Sequence, residues 1–101
     1  MVSIESILQE ELQRLREAEQ SYRREIRALP KGSIQNKRIK GIVYPYLAFR
    51  KGKRVVSRYL GNLLKEELER LRQGIELRRQ QEQMLLQVRK NMFRIKRMKG
   101  C

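Results

Sequence analysis

A chain of 101 residues has room for one small domain with a thin core: apolar residues make up 40%, charged ones 36%, and Trp is absent. Lys and Arg number 25 against 11 acids, a net charge of +14; every acid is Glu, and Asp, His and Thr do not occur. These absences exclude imidazole acid–base chemistry, histidine metal ligation and Asp-based Ca²⁺ or Mg²⁺ sites, so a non-enzymatic protein without cofactor or metal is expected. The only thiol, Cys101, leaves no intrachain disulfide and suits a reduced, cytoplasmic setting. The N-terminus, MVSIESILQEELQ, is acidic rather than a basic signal peptide, and no apolar run reaches the roughly 18 residues of a membrane span.

The spacing predicts a helix over residues 1–30. Leu8, Leu12, Leu15, Tyr22, Ile26 and Leu29 recur at 4-3 intervals, interrupted only at Glu19. Ser3 or Ser6 can cap it, Ser6 with Gln9 as a capping box, and Pro30 and Gly32 end it.

From residue 31 the period changes to two. SIQNKRIKG, IVYPYLAFRKG and KRVVSRYLG are runs of β-branched and aromatic residues parted by Gly41 and by Lys51-Gly52, which reads as a three-stranded antiparallel β-meander over 31–60. Alternation sets Val43, Leu47 and Phe49 on one face and Ile42, Tyr44, Tyr46 and Arg50 on the other. Pro45 lacks a donor, so a bulge or break is expected at that point.

Gly61-Asn62 opens a second helix over 61–86, with Asn62 as its cap and Glu66 and Glu67 near its positive end. Its stripe of Leu64, Leu68, Leu71 and Ile75 fails at Arg78 and Glu82 and resumes out of phase through Leu77, Met84, Val88, Met92 and Ile95. With Gly74 and the polar run GIELRRQQEQ, a kink or weak packing is expected over 74–83. Residues 87–101 read as a basic helical tail that orders against a partner. The fold class is therefore α+β: a long N-terminal helix, a β-meander and a long C-terminal helix, with the helices paired as an antiparallel coiled-coil-like hairpin in a single domain over 1–101. The small core favours a homo-oligomer assembled through Leu8, Leu12, Leu15, Leu64, Leu68 and Leu71.

The positive charge is confined to two places. Residues 1–30 carry net −1 and 59–86 net 0, whereas 31–58 hold nine cations and 87–101 six, with no acid in either. Such segments suit a polyanion. The candidate nucleic-acid-binding residues are Lys37, Arg38, Lys40, Tyr44, Tyr46, Arg50, Lys51, Lys53, Arg54 and Arg58, the cations for phosphates and the tyrosines for sugars or bases, with Lys37, Arg38, Lys40, Arg54, Arg58, Tyr44 and Tyr46 expected together on one free sheet face. Arg89, Lys90, Arg94, Lys96 and Arg97 form a secondary basic set, interleaved with apolar residues in a way that also suits an anionic membrane surface or a partner groove. The Glu residues fall at i, i+4 from arginines, as Glu10 with Arg14 and Glu66 with Arg70, the spacing of ordinary surface ion pairs.

The stretch GSIQNKRIKGIVYPYLAFRKGKRVVSRYLGNLLKEELERL, residues 32–71, resembles the arm-type DNA-binding domains of tyrosine recombinases and, more loosely, plant ethylene-response-factor domains. The likeness lies in Gly32 before a basic first strand, the second strand ending in Phe49-Arg50, the Lys51-Gly52 turn, and a third strand from Arg54 to Leu60 leading into a helix. The resemblance implies a sheet lying in the DNA major groove, contacting it through Lys37, Arg38, Lys40, Arg50, Arg54 and Arg58; the arm domains lack the long N-terminal helix. The chain is also similar to short prokaryotic proteins with a YxYLxxRxGKxVxSxYLG core, here Tyr44 to Gly61. The function expected is binding of double-stranded DNA in preference to RNA, by a protein associated with a prokaryotic nucleoid. The alternative is a small accessory or inhibitor subunit of mobile-element type that docks its helices on a larger protein or nucleoprotein complex.

Overall fold

A computed structural model describes residues 3–100; Met1, Val2 and Cys101 lie outside the described residues. The chain is α+β, in the order α1 (Ile4–Ala28), β1 (Ser33–Ile39), β2 (Ile42–Lys51), β3 (Arg54–Tyr59) and α2 (Lys65–Met98). It divides into two compact units, one of residues 29–78 and one combining residues up to 28 with those from 79 onward. No helix among the described residues is long and apolar enough to cross a membrane.

In the helical unit, α1 and the C-terminal part of α2 pair antiparallel. Leu12, Leu15, Val88, Met92 and Ile95 form the buried seam, joined by the partly buried Leu8, Ala18 and Tyr22. Two polar contacts fix the direction and register: Arg89 Nε donates to Glu19 Oε2 at 3.0 Å, and Lys99 Nζ donates to Gln9 Oε1. Residues 87–98 therefore order against α1 of the same chain, so the partner expected for the basic tail is internal. Glu19, the polar interruption in the α1 stripe, earns its place as the acceptor for Arg89.

The start of α1 resolves between the two serines. Ser3 Oγ accepts the Ser6 amide at 3.1 Å, so Ser3 is the cap and Ser6 sits inside the first turn. Further along α1, Arg14 holds Glu11 through a two-point contact, Nε to Oε2 at 2.9 Å, which lowers the Glu11 pKa and raises that of Arg14.

α2 departs from expectation in three ways. It begins at Lys65, with Gly61 and Asn62 in a turn; the Leu64 amide donates to Glu67 Oε1 at 3.3 Å, so Glu67 rather than Asn62 satisfies an orphan donor at this end. Its stripe stays in phase through the half-buried Leu71, Arg78 and Gln81 and the buried Ile75, Leu85, Val88, Met92 and Ile95, while Leu77 and Met84 are exposed. Two polar residues thus occupy stripe positions. Arg78 Nη1 donates to the Leu29 carbonyl at 2.7 Å, whereas Gln81 Oε1 is enclosed without a hydrogen-bond partner among the described residues. Finally, the helix runs uninterrupted past Gly74, where a Cβ would lie 2.8 Å from Pro30 Cγ. Glycine is present there because the helix backbone comes close to a proline ring, and Ile75 beside it is buried.

The sheet is an antiparallel meander in the order β1-β2-β3. β1 and β2 are joined by the two-residue turn Lys40-Gly41, both at positive φ (52° and 82°), which matches the twist of a tight hairpin. Gly52, φ 65°, opens the Gly52-Lys53 turn between β2 and β3. Pairing continues unbroken through Pro45, opposite Asn36, so no bulge forms. The N and C=O of a strand residue face the same neighbour, and the Pro45 carbonyl accepts the Leu60 amide at 2.9 Å. Its missing donor therefore faces the point where β3 ends, and the β1–β2 ladder is spared. In this unit only Ala48, Leu60 and Ile75 are buried.

Candidate nucleic-acid interface

Strand register sorts the basic residues onto two faces. One face carries Lys37, Tyr44, Tyr46, Arg50 and Tyr59; the other carries Arg38, Lys51, Arg54 and Arg58, with Lys40 and Lys53 in the turns at opposite ends of β2. The single face expected to combine Lys37, Arg38, Arg54 and Arg58 with Tyr44 and Tyr46 does not exist. A meander with two-residue turns fixes which residues lie opposite one another, and adjacent residues such as Lys37 and Arg38 must then point to opposite sides.

The tyrosine face is a packed aromatic cluster. Tyr59 stands against Tyr46 at 5.4 Å and against Tyr44 at 6.2 Å between ring centroids, tilted by 55° and 53°. Lys37 Nζ lies 4.5 Å from the Tyr46 ring centroid. The tilted rings and the ammonium over one of them favour this cluster as a brace for the sheet, since base stacking uses open, parallel ring faces. Tyr59 was legible as a member: once Gly52-Lys53 is taken as a two-residue turn, Tyr46 and Tyr59 fall opposite each other. It adds a partly exposed hydroxyl-bearing ring to the residues read from the sequence, at 46% exposure.

The arginine face is simpler. Arg38, Lys51, Arg54 and Arg58 are all exposed. The Arg58 guanidinium lies 5.8 Å from the Phe49 ring centroid, a contact that leaves its hydrogen-bond donors available. Lys51 and Arg54 are direct cross-strand partners. Like charges placed opposite one another destabilise an antiparallel pair. With Arg50 and Lys53 alongside, four cations fall within five residues, 50–54. None of these sheet cations has an ion-pair partner among the described residues, where the ion pairs lie on the helices. Electrostatic repulsion at this hairpin is thus built in and uncompensated, the condition an anion would relieve.

Of the secondary basic set, Arg89 is committed to Glu19, and Arg97 lies over Phe93 with its guanidinium 5.8 Å from the ring centroid. Lys90, Arg94 and Lys96 are exposed on α2. Among the described residues no cluster of acids or cysteines could hold a metal ion.

The family described as Domain of unknown function (DUF6788) matches residues 3–73. The chain belongs to this family. The match spans α1, the whole sheet and the start of α2, and so includes both faces of the candidate interface. No curated protein and no solved structure matches the chain.

Proposed function

We propose that this protein binds nucleic acid without catalysing a reaction on it, and that it holds the phosphate backbone of double-stranded DNA through the arginine face of its sheet. The observation that carries the reading is the acid-free pairing of Lys51 with Arg54 at the β2–β3 hairpin, in line with Arg58 and Arg38 on the same face. Arg38 lies opposite Val43 and Arg54 opposite Lys51, so the cations of this face are spread along β2 over about 26 Å at roughly 3.3 Å per residue, enough to reach several successive phosphates. The occupied ring of Tyr46 argues for backbone contact over the base stacking that single strands require.

The test is binding to labelled duplex DNA, single-stranded DNA and duplex RNA across a salt series. If the four cations of this face and Lys40 and Lys53 in the turns engage six phosphates, affinity for duplex DNA falls by about 10³ between 50 and 200 mM salt. Reversing Arg54 and Arg58 to Glu weakens binding to all sequences alike and flattens the salt slope. A flat salt response in the unmodified protein, or an unchanged slope in the double variant, would sink the proposal.

A further inference from the structure

α2 in the helical unit has a second face that α1 does not cover. With Val88, Met92 and Ile95 turned into the seam, Leu86 and Phe93 project away from it and are 55% and 62% exposed. They are seven residues apart, two helical turns or about 10.5 Å, and so lie nearly in line. Lys90 lies between them, Arg94 follows, and Arg97 sits over the Phe93 ring. Shallow depressions on either side of Leu86 are lined by Arg79, Glu82 and Arg89 in one case and by Lys90, Phe93 and Arg94 in the other.

We infer that this face docks an acidic amphipathic helix of a protein partner. The template is within the chain: on the seam side, α2 holds α1 by combining apolar residues at helical spacing with a basic residue that reaches an acid, Arg89 to Glu19. The outer face repeats that combination, apolar residues in a row flanked by cations, with Glu82 at its near end and no acid from Gln83 to Gly100. A second copy apposing the same face would bring like charges together, and its α1 stripe is already in use. A lipid bilayer would gain only two large apolar anchors, because the main apolar face of this helix is consumed by the seam. A polyanion would reward the cations and leave Leu86 and Phe93 exposed. Phe and Arg in adjoining positions are the composition of an interface centre.

The experiment titrates the full-length protein with two fluorescent synthetic helices, each with Leu at two positions per heptad, one flanked by Glu and one by Lys, and in parallel with vesicles containing 30% phosphatidylserine. Saturable binding of the Glu helix alone is expected, weakened at least tenfold by Leu86→Ser with Phe93→Ser and likewise by Lys90→Glu with Arg94→Glu. Arg54→Glu with Arg58→Glu, in the sheet, should leave it unchanged. Circular dichroism establishes that each variant keeps its helix content; a second apolar variant, Phe93→Ala alone, serves if the double one unfolds. Equal binding of the Glu helix by the apolar variants would reduce the effect to bulk charge and overturn the inference. Vesicle binding that depends on Phe93, without binding of the Glu helix, would overturn it in favour of a membrane.

Discussion

The helical unit and the sheet unit are built on opposite economies of burial and charge. In the first, Leu12, Leu15, Ile26, Leu85, Val88, Met92 and Ile95 are buried and the seam carries a matched Glu19–Arg89 pair. In the second, only Ala48, Leu60 and Ile75 are buried, while eight strand and turn cations from Lys37 to Arg58 have no acid beside them. A thin core loaded with like charge is a poor way to make a stable sheet and a good way to make one that gains from an anion. The difference separates the part of the molecule that holds its shape by packing from the part whose charged side chains stand exposed.

The contrast can be broken most forcefully at the seam. Leu15→Ala removes a side chain that is 4% exposed and should cost 2–5 kcal/mol in thermal or denaturant unfolding, whereas Leu77→Ala, on an exposed position of α2, should stay within about 0.5 kcal/mol. Equal effects would mean that the seam does not carry the stability. Gly74→Ala comes next. A gain of about 1 kcal/mol in helix propensity opposes an overpacking cost of roughly 1–3 kcal/mol against Pro30, so the variant should be destabilised. In a Pro30→Ala background the same change should become stabilising, and a failure of that reversal would refute the close approach as the reason for the glycine. The smallest effect is the most diagnostic. Lys51→Glu places an acid opposite Arg54 and should stabilise the sheet by about 0.2–1 kcal/mol while weakening DNA binding. A loss of both stability and binding would show that the hairpin charge is structural.

Much of this was legible in the primary structure because it depends on local period and punctuation. Period-3.6 stripes, period-2 alternation and the glycines at 41 and 52 were sufficient to place two helices and a three-stranded meander in order. What escaped had non-local causes. The α2 stripe looked interrupted because Arg78 and Glu82 are polar; only the fold shows that the stripe passes through Gln81 in place of Glu82 and that Arg78 reaches the Leu29 carbonyl. Asn62 has the right chemistry for a cap, but the turn at Leu60–Leu63 uses it first and passes the role at the helix start to Glu67. The basic residues were recognisable as a set, yet their division between two faces follows from turn lengths that set parity, and a count of charges carries no parity. Residues 87–98 looked like a tail because their apolar positions alternate with cations; their partner lies some 70 to 90 positions earlier in the chain.

That separation has a kinetic consequence. The meander closes through two-residue turns between neighbours in sequence, whereas the seam must bring together segments as distant as Gln9 and Lys99. Closing so large a loop is slow relative to hairpin formation, which takes microseconds. During synthesis Leu12 and Leu15 emerge long before Val88, Met92 and Ile95, so α1 waits as an unpaired amphipathic segment with its apolar stripe open to chaperones. Pulse-labelled hydrogen exchange during refolding should accordingly find β2 amides protected ahead of those in α1, and the reverse order would show that α1 gains its protection without waiting for the seam.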